Sequence, residues 1–166
     1  MKFSHHLNLA AAIGAAVLFS CGLQADPVTP PQAAPAWTLK DVNGRPVSFS
    51  QFKGKVVVLD FWATWCPPCC AEIPGYVKLQ EKYKDQGLVI IGAVYQDSAE
   101  AVKKFMVENH MNYPIVMADD AMIEAFGGID GTPTTFLIDR DGKIRDKTVG
   151  AMETDDYEKI IRQYLH

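Results

Sequence analysis

Two continuous apolar runs constrain the fold most. KVVVLDFWA, residues 55–63, and LVIIGAVY, residues 88–95, are rich in β-branched residues. Short runs of this kind suit strands buried on both faces, as in parallel sheets. Between them lies a helical pattern that reaches about Gln86, where Gly87 fits as the residue closing the helix. Strand, helix and strand make a β-α-β unit, the connection that parallel strands require.

The remaining segments extend this unit at both ends. WTLKDVNGRPVSF places Asn43-Gly44 between two short alternating runs, which signals a hairpin. Asp97 and Glu100 resemble a capping box opening a helix to about His110. YPIVM reads as a short strand, and a short helix over 121–126 ends at Gly127-Gly128. TTFLID and KIRDKTVG flank Asp141-Gly142 as a second hairpin. Thr154 is placed to cap a final helix. The expected class is α/β: a central mixed sheet flanked by helices, with an N-terminal β-hairpin and a central αβ insertion.

Three stretches divide the chain. Residues 1–25 carry Lys2, an apolar run from Leu7 to Phe19, and small residues after it. That is the pattern of a secretory signal peptide. Cleavage after Ala25 would free a soluble protein. Alternatively LFSC resembles a bacterial lipobox, with Cys21 as the lipidated residue; an uncleaved anchor is the third option. Each reading puts the domain outside the cytoplasm, in a bacterial periplasm, free or tethered to the membrane by its N-terminus. Residues 26–36 hold four prolines and read as a semi-rigid spacer. Residues 37–166 form the domain. The net charge of −4 and the absence of a basic run argue against a nucleic-acid partner.

Three of the four cysteines fall within five positions, in DFWATWCPPCCAEIP. Cys66 and Cys69 follow the first buried strand and start the next helix. A Cys-x-x-Cys in a β-α-β context is a redox signal. Unpaired N–H groups and the helix dipole favour a thiolate at the first position, and one helical turn brings the second within disulfide reach. Structural zinc would need two more Cys or His ligands, and His5, His6, His110 and His166 form no spaced pair. No metal or other cofactor is expected. Asp60 interrupts the buried strand, where a carboxyl is costly and its pKa should rise. Glu72 lies three after Cys69 on the same helix face; without further information it reads as a solvated first-turn glutamate.

FWATWCPPC, Pro74 within the helix and GTPTTFLIDRDGKI together resemble the thioredoxin superfamily, and within it the extracytoplasmic TlpA/ResA-like branch, which includes the cytochrome c maturation thioredoxins. The resemblance spans about Ala36 to the C-terminus, and the segment 97–117 matches that branch's inserted element. It implies a thioredoxin-like fold and a thiol-disulfide oxidoreductase. It implies that Cys66 is the solvent-exposed attacking thiol and Cys69 the buried resolving thiol, the two forming a redox-active disulfide. Thr132 and Pro133 match the cis-proline segment that pairs with the substrate backbone. Asp60 matches the buried acid that takes the proton of the resolving thiol, and Glu72 the glutamate that influences thiol acidity. Many members of the branch carry a neutral residue at the Asp60 position, so this chain combines both acids. Trp65 and Pro67 would meet the partner, while Trp62 packs beneath. Cys70 stands where the family usually has a polar residue and is expected to be a bystander at the rim.

The implied reaction is reduction of disulfides in extracytoplasmic partner proteins, with re-reduction by a membrane electron donor. Pro67 and Pro68 remove two N–H donors near Cys66. Its pKa should therefore lie nearer the value of about 7 in thioredoxin than the value of about 3.5 in DsbA, which favours a reductase over an oxidase or isomerase. Two rival classes are weaker. A peroxiredoxin-type site needs Pro-x-x-x-Thr-x-x-Cys, but Leu59 and Ala63 stand at the Pro and Thr positions. Cys66 and Cys70 have the Cys-x-x-x-Cys spacing of Sco-type copper chaperones, but no late-loop His accompanies them.

Overall fold

A computed structural model describes residues 26–165. The leader, with Cys21, lies outside the described residues, as does His166. The elements are β1 Asp26–Ala33, β2 Thr38–Asp41, β3 Pro46–Ser48, β4 Val56–Trp62, α1 Pro67–Tyr83, β5 Leu88–Val94, α2 Ala99–Glu108, β6 Ile115–Met117, α3 Asp120–Ala125, β7 Thr134–Ile138, β8 Lys143–Val149 and α4 Thr154–Arg162. They form one mixed sheet in the order β1-β8-β7-β4-β5-β6-β2-β3. β4, β5 and β6 run parallel, and the hairpins add antiparallel strands on either side. This is the α/β architecture expected from the two apolar runs.

Alternation along β4 splits the interior into two cores. Val56, Val58 and Trp62 face α1 and α4, packing with Ile73, Tyr76, Leu79, Tyr157 and Ile161. Val57, Leu59 and Phe61 face the other side, with Met122 of α3, Phe126 and Phe136. Asp60 falls in register with the first set. Its neighbours across the sheet are Gly92 on β5 and Thr135 on β7. Gly92 must be small: a Cβ there would lie 2.6 Å from both Trp62 Nε1 and Ile115 Cδ1.

Several local expectations are corrected. Asp26–Ala33 does not stand apart as a spacer; it is an edge strand antiparallel to β8. Proline-rich backbone is already extended, and an edge strand tolerates missing N–H groups. The pairing holds at Asp26–Pro27 and Gln32–Ala33 and is irregular between them. α2 is capped by Ser98, whose hydroxyl accepts from Ala101 N–H at 3.1 Å, and it ends at Glu108 rather than His110. Asp97 is drawn off to Thr64, accepting from its N–H at 2.9 Å and its hydroxyl at 2.6 Å. α4 begins at Thr154 with Glu153 as the cap position and no side-chain cap bond. α3 starts one residue earlier than expected because Asp119 accepts from Met122 N–H at 2.8 Å. α1 runs through Pro74 as a single helix.

Candidate active site

The redox helix begins directly beyond β4. Cys66 is the N-cap of α1, and Pro67 and Pro68 fill the first helical positions, whose N–H groups have no intrahelical acceptor in any case. Cys66 and Cys69 form a disulfide with their Cα atoms 5.3 Å apart. Cys69 N–H donates to Cys66 Sγ at 3.4 Å. Cys66 Sγ also lies 3.5 Å from the carbonyl oxygen of Thr132. The Thr132–Pro133 peptide is cis, with Pro133 buried and Thr132 half-buried. The cysteines and the Thr132–Pro133 turn thus meet, although 66 positions separate Cys66 from Thr132.

Exposure corrects one expectation. Cys66 is only 4% exposed, and Cys69 is 1% exposed. Cys66 is the more accessible of the two but is not open to solvent. The exposed apolar surface is Trp65, at 58%, together with the exposed Pro67 and Pro68. The Trp65 indole N–H donates to Gln96 O at 3.1 Å, and Gln96 has a left-handed backbone with φ of 54°. Trp62 is buried beneath the site, its ring centroid 5.5 Å from that of Phe105.

Two buried carboxyls stand on β4 and α1, the elements that flank the disulfide. Asp60 is 3% exposed and accepts from the Thr135 hydroxyl at 3.2 Å. Burial, reinforced by the nearby Glu72 carboxylate, pushes its pKa well above the usual carboxylate range, and the Thr135 bond opposes this only in part. Glu72 is 9% exposed, so it is not the solvated glutamate that its helical position suggests. Its Oε1 accepts from Met152 N–H at 2.8 Å, and Oε2 is buried without a partner. Burial raises Glu72 to about 7 against that single bond. The loop carrying Met152 also reaches the cis turn, since Gly150 N–H donates to Pro133 O at 2.9 Å. The loop therefore ties the redox helix to the proline turn.

Cys70 is half-buried and turned away. Its thiol donates to Thr64 O at 3.4 Å, and burial raises its pKa. Thr135, Tyr76, Met152 and Gln96 escaped sequence reading. Each acts through a neighbour far along the chain, and only the polar Thr135 next to an apolar run carried any local signal.

The arrangement has relatives. Residues 29–165 match the model of the Redoxin family. The chain is 35% identical over 133 residues to the thiol-disulfide oxidoreductase ResA of Bacillus subtilis (strain 168), covering 80% of this chain and 72% of that protein. It is 34% identical over 162 residues to ResA of Geobacillus kaustophilus, covering 97% and 92% respectively. A thioredoxin family thiol:disulfide interchange protein from Chlorobium tepidum TLS superposes with a TM-score of 0.77 at 35% identity, covering 84% of this chain and 99% of that one.

Proposed function

Given that this chain belongs to the Redoxin family and is a thiol-disulfide oxidoreductase with a thioredoxin-like fold, we propose that it works as a reductase of protein disulfides outside the cytoplasm. Its two-residue redox centre is Cys66 and Cys69. Cys66 thiolate attacks a substrate disulfide, forming a mixed disulfide and releasing one substrate thiolate. Cys69 gives up its proton to Asp60, with Glu72 tuning that site, and attacks Cys66 Sγ. The second substrate thiolate leaves, and two electrons have passed from the enzyme to the substrate. The enzyme ends as the Cys66–Cys69 disulfide and needs a donor at the membrane to restore the dithiol. Thr132, held beside cis Pro133, offers backbone groups to the substrate strand, and Trp65 and Pro67 offer an apolar contact. Oxidised apocytochrome c is a substrate of the right chemistry. Among the described residues no helix is long and apolar enough to cross a membrane.

The surroundings of Cys66 Sγ carry the reductase reading. Its stabilising partner is one N–H at 3.4 Å, that of Cys69, while a carbonyl oxygen stands 3.5 Å away. A carbonyl accepts from a thiol and repels a thiolate. A poorly stabilised thiolate means a stable disulfide and a reducing couple. Equilibration with dithiothreitol or glutathione tests this. The expected potential lies near that of thioredoxin, about −270 mV, and a value near that of DsbA, about −120 mV, overturns the reading.

A further inference from the structure

We propose that Thr135 and Tyr76 form a two-hydroxyl relay that positions Asp60 and lets it cycle its proton without leaving its buried site. This rests on the reading that Asp60 accepts the Cys69 proton. Thr135 is the cross-strand neighbour of Asp60, on β7. Its hydroxyl lies 3.2 Å from Asp60 Oδ1 and 3.4 Å from Tyr76 Oη. All three side chains are buried.

A hydroxyl both donates and accepts, so the chain can run in either direction without moving a heavy atom. With Asp60 ionised, Tyr76 donates to Thr135 and Thr135 donates to the carboxylate. Once Asp60 has taken the Cys69 proton, its O–H donates to Thr135, and the Thr135 O–H turns to Tyr76 Oη. The buried carboxyl keeps a partner in both states, which matters because an unsatisfied buried polar group is expensive. Burial holds the Tyr76 phenol well above its ordinary range, so it stays protonated while Asp60 titrates.

The groups facing Asp60 are few. From α1 come Glu72 and Tyr76; from α4, Tyr157; from the segment before β6, Tyr113; from β7, Thr135. On β8, Asp146 acts on Tyr157. Glu72 is the charged group in this set acting directly on Asp60, and it disfavours ionisation. The Thr135 hydroxyl opposes it.

The bonds to the charged state are the stronger ones, so removing the relay should raise the pH at which Asp60 becomes a base. The experiment is single-turnover oxidation of the reduced protein by oxidised glutathione, followed against pH in a Cys70→Ser background. Thr135→Val should move the midpoint of the resolving step up by about 0.5–1 pH unit, a fall of roughly three- to tenfold below the midpoint. Thr135→Ser, which keeps the hydroxyl, should retain the parent profile. Tyr76→Phe should shift it less, and should add nothing to Thr135→Val, because Tyr76 reaches Asp60 through Thr135. A Thr135→Val profile superimposing on the parent overturns the relay, as does a Tyr76→Phe effect that persists in full without the Thr135 hydroxyl. Asp60→Asn separates the two claims. If it leaves the profile unmoved, the assignment of Asp60 as base fails; if it moves the profile and Thr135→Val does not, only the relay fails.

Discussion

Among the three clustered cysteines, chemistry is divided by what each sulfur faces. Cys66 and Cys69 face each other, while Cys70 faces the Thr64 carbonyl. The Cys70 thiol is half-buried and its pKa is raised by burial, so little thiolate is present at neutral pH. Two outcomes follow from that orientation. Iodoacetamide should alkylate Cys70 of the oxidised protein more slowly than a free cysteine peptide, read by mass spectrometry. Cys70→Ser should keep turnover of a disulfide substrate within about twofold, because the thiol points to Thr64 O and not to the Cys66–Cys69 pair. Rapid alkylation, or a large loss of turnover, would assign Cys70 a part in exchange. The residue pattern made the redox pair legible because strand, cysteine, two prolines and helix are consecutive. The burial and raised pKa of Asp60 were legible because it interrupts an apolar run. The burial of Glu72 was not, since it depends on Met152 from a loop 80 positions away.

At the scale of elements, the site depends on how closely α4 approaches α1. Gly75 sits at that contact, and a Cβ there would lie 2.1 Å from Thr154 Oγ1 and 3.1 Å from Thr154 Cβ and Cγ2. Gly75→Ala gains about 1 kcal/mol of helix propensity. Against this, forcing a methyl into a filled contact costs about 1–3 kcal/mol. The expected net result is a lower melting temperature, most of it recovered by adding Thr154→Ala. A Gly75→Ala protein melting above the parent would show that the helices separate freely. Elements whose signals are local were legible, as both hairpins and the β4-α1-β5 unit show. β1 was not, because its prolines dictate extended backbone but say nothing of the open β8 edge beside it. The true cap of α2 was hidden for a similar reason: Thr64 claims Asp97, leaving the cap to Ser98.

Across the whole molecule, the two buried acids proposed to assist exchange work against the fold once ionised. Asp60 and Glu72 both bind protons more tightly folded than unfolded. Each therefore contributes stability that is fully present below its unfolded pKa and is lost as pH rises through its folded pKa. For Glu72 the window runs from 4.5 to about 7; for Asp60 it opens at 3.8 and extends well above. Converted at about 1.4 kcal/mol per pH unit, the Glu72 share is on the order of 3 kcal/mol. Denaturant unfolding of the oxidised protein at the two ends of the Glu72 window should show the parent losing that much more than Glu72→Gln. Carboxylates with lowered pKa values, such as Asp41 and Asp139, shift stability the opposite way, but they are common to both proteins and cancel in the difference. Parallel losses in parent and variant would mean that Glu72 ionises as freely folded as unfolded. Combining Glu72→Gln with Asp60→Asn should flatten the profile further and leave the fold more stable than the parent above neutral pH. The same double variant should resolve mixed disulfides slowly if the buried charge it removes is the base proposed for Cys69.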